Sequence, residues 1–477
     1  MRIELIKGGN KQEVEDRTRI VATAGQISHS SKSLFDLYDD RADYDENIKA
    51  IGRIVASGHT SITEHDQLTL FITDVTPVIE QILIGQRLAS FTIKSRRYVD
   101  FGDSGFHTPD FSYLENGDEV KEKYNNHMNY LFNTYSEMVD CGVPKEDARF
   151  VLPYCFHSQI AMSLNTRSLI KLIEYCTMGS MSDIDEVREF GLKLLDIAKE
   201  KVPYYKKNYD SIEKQINEGA KNYNKLEFLN KYVDGKYDIL EHPRLISVQT
   251  DYKDGNVDKT IIVSCIMNRY QLSFDMANKA YDKLSIDEKK EIMEVVCMSN
   301  ENRELEHVSF KFEFPTTLAG LTHWTRQRIH SLLIPDFLPI YDLNNYIVPD
   351  TVKMNCLDKY QDAVNKNIQV YNEFKKMGVS DKDLVYFNLS GTMINVSTNV
   401  NGRELMWISR LRCCKRAQWE IREEANSMVD LVQKESKLYG EYLGAPCGVV
   451  GKCPEGKHSC GNPYVYKRRM YIKGDRL

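Results

Sequence analysis

The chain has 477 residues, with 63 lysines plus arginines against 69 aspartates plus glutamates, a formal charge of −6. Such a length normally divides into two or more domains with ample chain for large cores. The slightly acidic balance excludes a general nucleic-acid coat, which needs a basic excess to neutralise many phosphates, and no stretch reaches the roughly 20 apolar residues of a membrane helix.

The N-terminal MRIELIKGG lacks an apolar signal-peptide region and reads as a first β-strand. After HTSITEH (His59–His65), LTLFI (Leu68–Ile72) alternates as a strand does. LASFTIKSRRYVDFG follows, with Ser95, Arg96 and Arg97 clustered before Tyr98. A hydroxyl beside guanidinium groups suits a phosphate, because arginine offers planar two-pronged donors; a solvated basic strand edge is the bland alternative. The charge-free run Val151–Thr166 reads as core, since it carries His157, Ser158, Gln159 and Asn165. Asp185–Lys201 has the apolar spacing of a helix. The charged Tyr/Asn/Lys-rich stretch from Val202 to Tyr237 reads as helix end plus linker.

Beyond it, VSFKFEF (Val308–Phe314) is a second alternating strand. In THWTRQRIHS, Arg326 and Arg328 would diverge on a helix and share a face on a strand, flanked by His323 and His330. Arg403–Lys434 is predicted as one helix, with Asn401 as N-cap and Glu404 completing a capping box. On it, Arg412, Arg416 and Trp419 would share a face, a costly cluster of like charge that an anionic planar ligand would explain. In the tail GAPCGVVGKCPEGKHSCG, Cys447, Cys453, Cys460 and His458 lack the paired C-x-x-C spacing of common zinc sites, so free thiols are expected and no metal is assigned. Cys155, Cys265 and Cys297 sit singly in apolar surroundings, which fits a reducing cytoplasm.

The chain also contains itself twice. Gly142–Leu169 aligns without a gap on Gly378–Leu405, both opening Gly-Val and reaching Asn-x-Arg-x-Leu. Thr60–Val75 matches Arg303–Phe314 through Glu64-His65 and Glu306-His307, and Gln86-Arg87 with Ser90 then match Gln327-Arg328 with Ser331. Matched blocks in one order imply a duplication, with domains at 1–220 and 221–477. Intermixed strands and helices make the class α+β.

These segments resemble the flavin-dependent thymidylate synthases. Asn401 through Arg422 is similar to the family's N-x-R-E-L leading into L-R-x-C-x-R-A-Q-W-E-I-R, and the tail is similar to the family's end. GQRLASFTIKSRRY resembles R-H-R-x-x-S-x-N-x-x-S-x-R-Y, keeping Arg87, Ser90, Ser95, Arg97 and Tyr98, with Gly85, Gln86 and Thr92 elsewhere. RQRIHS keeps Arg326, Arg328 and Ser331, then departs with Leu338 and Pro339. HTSITEH resembles H-x-S-x-x-E-H, and EDARFVLP (Glu146–Pro153) resembles a nucleotide-contacting arginine segment.

The resemblance implies two copies of one α+β domain, each a mixed sheet with long helices, fused as a pseudo-dimer. It implies reductive methylation of dUMP to dTMP, with FAD as cofactor and NADPH and methylenetetrahydrofolate as co-substrates. Residue by residue, it assigns dUMP to Ser95, Arg97, Arg149, Arg326 and Arg412, with Arg412 catalytic. It assigns FAD to Ser61, Glu64, Asn165, Arg167, Gln327, Arg328, Asn401 and Arg403, Gln327 standing where the family has histidine. Each copy is incomplete: the first has Cys176 at the Arg412 position, and the second has Val385 at the Arg149 position. Pooled, Arg97 and Arg412 would serve one composite site, and a homodimer of chains would mimic the family's tetramer. Ile93 and Ile334, where the family has a polar or acidic residue, favour as an alternative a relative with another pyrimidine nucleotide or one-carbon product, such as a hydroxymethylase; the motif residues missing from both copies favour a non-catalytic degenerate relative that binds nucleotide.

Overall fold

The computed structural model describes residues 1–223, 226–232, 238–335 and 342–461. Among these residues, eight strands form two four-stranded sheets. β1 (Arg2–Lys7), β2 (Gln67–Val75), β3 (Ala89–Ile93) and β4 (Ser158–Asn165) are ordered β1-β2-β4-β3. β5 (Arg244–Gln249), β6 (Ser309–Thr317), β7 (Ser331–Leu333) and β8 (Met393–Asn401) are ordered β5-β6-β8-β7. The duplication extends to the register: Gln67 faces Asn165 across β2–β4, and Ser309 faces Asn401 across β6–β8. The two-copy α+β architecture thus stands, with one correction. The sheets are antiparallel in every described pairing rather than mixed, because each long excursion returns its strand in the reverse sense instead of crossing over to a parallel one.

The alternation that marked the strands is what buries them. Leu68, Leu70 and Ile72 of β2 and Phe310, Phe312 and Phe314 of β6 all point into a core, while Phe71 and Lys311 face out. The helix Asp185–Lys201 forms as predicted and buries Val187, Phe190, Leu194 and Ala198. Each copy then fixes a strand end to a helix by the same device. Thr76, N-cap of the helix Pro77–Ile84, donates its N–H and hydroxyl to buried Glu186 at 2.9 and 2.6 Å. Thr317, N-cap of Leu318–Trp324, donates likewise to Glu420 at 2.6 and 2.8 Å.

The compact units cut across the repeat. One comprises residues 1–237 with 336–392, the other 238–335 with 393–477. In the first, the long helix Leu357–Lys376 packs against its first-copy counterpart Gly117–Asp140. Phe374 meets Phe111 and Tyr124, and His127 Nε2 lies 2.9 Å from Asn367 Oδ1. An amphipathic helix buries its apolar stripe against whichever partner completes the core, here one supplied by the other copy.

His127 stacks on Phe387, and burial pulls its pKa down to about 4. Between pH 6.5 and 4 the unfolded chain binds the extra proton, so stability is full above about pH 6.5 and falls as pH drops. A shift of this size is worth about 3 kcal/mol. Denaturant melts of wild type and His127→Gln at pH 7 and pH 4.5 should show wild type losing the more stability on acidification; equal losses would remove His127 as the cause.

Candidate functional site

In the second unit, Asn401 ends β8 and caps the helix Gly402–Arg412, its side chain accepting the Glu404 N–H at 2.9 Å. Gly402 lets that helix end settle on the 3₁₀ segment Arg303–His307, for a Cβ there would come within 2.7 Å of the Leu305 carbonyl. The close approach brings Arg403 to Glu306, paired at 2.7 Å. Arg403, Trp407 and Arg410 recur at helical spacing on one face. With Asn401, Arg303 and Glu306 they line a cleft of about 640 Å³.

Charge in this cleft is not balanced. Arg403 is neutralised by Glu306, but Arg303 and Arg410 have no ion-pair partner among the described residues. Arg410 Nε is buried without a hydrogen bond, and burial lowers that guanidinium's pKa. Glu404 does not complete the expected capping box. It is buried, accepts from the Ile329 backbone, and has its carboxyl pKa raised by burial, which lessens its weight as a counter-charge. Cationic donors left unpaired beside a half-exposed indole suit a planar anionic ligand.

The single helix predicted over Arg403–Lys434 is in fact two. The first stops at Arg412, and a second begins at Trp419, with Gln418 capping the Ile421 N–H at 3.2 Å. Arg422 holds the turn through the Lys415 and Ala417 carbonyls. Arg412, Arg416 and Trp419 therefore share no helical face. Arg410 and Arg412 sit in a last turn, where cations meet the negative helix end. Arg412 is part-buried and donates Nη2 to the His323 carbonyl at 3.2 Å. It thereby joins the helix Leu318–Trp324, whose end runs into Arg326, Gln327 and Arg328. Arg326 and Arg328 are exposed and Gln327 is buried between them, in a turn rather than a helix or strand. His323 and His330 are buried, His330 bonding Thr398 at 2.7 Å, so they are core residues rather than flanks of a site. Leu338 and Pro339 lie outside the described residues.

The first unit repeats the frame. Asn165 caps the helix Thr166–Met178 through the Ser168 N–H at 2.8 Å, and Arg167 pairs with Glu64 at 2.5 Å. Exposed Ser61 lies on the same 3₁₀ segment, Thr60–His65. Nearby in sequence, Arg97 Nε donates to the Glu146 carboxylate at 2.8 Å, and Arg149 Nε to the Glu146 carbonyl at 2.9 Å. Glu146 thus gathers two predicted nucleotide ligands, and Ser95 Oγ accepts the Arg97 N–H at 3.3 Å. Arg96 differs from its neighbours. It turns into the core and forms a two-pronged pair with Glu80, both nitrogens at 2.9 Å, so it is no phosphate ligand. Arg96→Met would leave the fully buried Glu80 charge unpaired and is expected to cost about 3–5 kcal/mol in urea unfolding. A loss below about 1 kcal/mol would contradict this account of the pair.

Sequence reasoning missed Arg303, Trp407 and Glu146. Arg303 and Trp407 were legible from the aligned repeats, as they stand opposite Ser61 and Lys171. Among the described residues no group of three or more His, Cys, Asp or Glu could hold a metal ion, and no helix is long and apolar enough to cross a membrane.

Comparison with known proteins accords with this frame. A family model described as "Thymidylate synthase complementing protein" matches residues 12–204 and 254–436, once in each copy. The flavin-dependent thymidylate synthase of Geobacter sulfurreducens is 27% identical over 40% of this chain and 82% of its own length. That of Sulfolobus acidocaldarius is 31% identical over 39% and 69%, and that of Pyrococcus abyssi 31% over 38% and 79%. With the family domain matched in both halves and the cap, ion pair and strand register repeated, the chain belongs to the flavin-dependent thymidylate synthase family, as a tandem duplicate.

Proposed function

We propose that the chain is an FAD-dependent thymidylate synthase, methylating dUMP to dTMP with methylenetetrahydrofolate as one-carbon donor and NADPH as reductant. The observation that carries this reading is the second-unit cleft, where the Asn401 cap and the Arg403–Glu306 pair frame two unneutralised guanidiniums. That donor set fits the diphosphate and planar rings of FAD, which supplies hydride when bound.

Asn401, Arg403, Gln327 and Arg328 hold the cofactor in this reading. Ser61, Glu64, Asn165 and Arg167 are the corresponding first-copy residues. Ser95, Arg97, Arg149, Arg326 and Arg412 are the nucleotide ligands in this reading. Arg412 stabilises negative charge developing on the pyrimidine edge, as an oxyanion hole does. The enzyme works in the cytoplasm as a homodimer of chains.

A second reading, hydroxymethylation or another pyrimidine nucleotide, draws on Ile93 and Ile334 in the nucleotide loops. The test supplies [5-³H]dUMP, FAD, NADPH and methylenetetrahydrofolate, with products identified by mass. Tritium release with dTMP supports synthase activity, and a 5-hydroxymethyl product favours the second reading. No release by a protein that takes up no FAD would identify a degenerate relative.

A further inference from the structure

The two copies differ sharply on the helix face that lines the cleft. Counting from the caps Asn165 and Asn401, Arg167 corresponds to Arg403, Lys171 to Trp407 and Glu174 to Arg410. On the facing 3₁₀ segment, Ser61 corresponds to Arg303. Both copies keep the neutralised Arg–Glu pair, but only the second adds an aromatic ring and two further guanidiniums. At the Arg410 position the first copy carries a carboxylate, which would repel a phosphate at close range.

Trp407 is 54% exposed and Arg410 lacks a hydrogen bond at Nε. A large indole left in water, beside two cations with no ion-pair partner among the described residues, contributes little to folding. It does offer a flat surface on which a base or flavin ring can stack, with phosphates reaching the guanidiniums.

We propose that Trp407 is a stacking platform for a planar ring of FAD, with Arg303 and Arg410 on its phosphates, and that each chain has one such site, in the second copy alone. This rests on the proposed function, whose failure has a different signature. The full-length protein is titrated with FAD, following protein fluorescence and the FAD retained after removal of free ligand. The chain has three tryptophans; Trp324 is buried and hydrogen-bonded to Glu424, so it serves as an internal reference.

The expected result is one FAD per chain, with quenching that largely disappears in Trp407→Phe. Trp407→Leu and Arg410→Gln should each weaken FAD by roughly tenfold or more. Two FAD per chain, or one FAD with unaltered quenching and affinity in these variants, would overturn the inference while leaving the proposed function standing. Absence of any FAD binding in the wild type would overturn both.

Discussion

Arg412→Ala is expected to lower turnover of dUMP by about 10²–10³-fold, the loss typical of removing one donor from a charge-stabilising site, while FAD stays bound. The cleft residues Arg303, Arg403, Trp407 and Arg410 do not include Arg412, so its removal leaves their donors in place. Arg412 donates Nη2 to the His323 backbone carbonyl, and a thermal melt of the variant checks that the fold survives. Stopped reaction mixtures give turnover, and visible absorbance gives retained flavin. Unchanged turnover would remove Arg412 from the chemistry. Loss of flavin with loss of turnover would move it to cofactor binding. Arg412→Lys should recover only part of the rate, because an ammonium keeps the charge but not the planar fork.

The second large effect belongs to the first unit. Arg97→Ala should raise KM for dUMP by about 10–100-fold, the equivalent of one charge-assisted hydrogen bond, with kcat changed little. Arg97 is held at 2.8 Å by Glu146, which also receives Arg149 through its carbonyl. The pair orients a guanidinium that stays partly exposed, on the side from which a phosphate would approach. Removing a contact made equally in ground and transition states raises KM alone. A fall in kcat at saturating dUMP with KM unmoved would contradict the phosphate assignment.

The strands were legible because burial alternates with side-chain direction: Leu68, Leu70 and Ile72 announce β2 as plainly as Phe310, Phe312 and Phe314 announce β6. The Asn401 cap was legible for a similar local reason. The break between Arg412 and Trp419 was not. No proline or glycine interrupts that stretch: the first helix ends at the Cys413 cap, and the second starts where Gln418 caps the Ile421 N–H and Arg422 holds the Lys415 and Ala417 carbonyls. Adjacent Arg96 and Arg97 look alike in sequence, yet one is committed to buried Glu80 and the other to Glu146; their fates depend on partners elsewhere in the chain. The pairing of Leu357–Lys376 with Gly117–Asp140 was equally hidden, since an amphipathic stripe specifies burial but not its partner. The cleft was half legible. Asn401 and Arg403 follow from the motif, whereas Arg303 and Trp407 emerge only when the two copies are set in register.

The proposed function requires this duplicated chain to bring a flavin and a uracil nucleotide together. It is tested most directly by adding dUMP to the FAD-loaded protein and recording the visible flavin spectrum. A saturable change in the flavin band is expected, reduced in Arg97→Ala at the same dUMP concentration. A protein that loads with FAD but shows no spectral response to saturating dUMP, while binding dUMP by calorimetry, would contradict it.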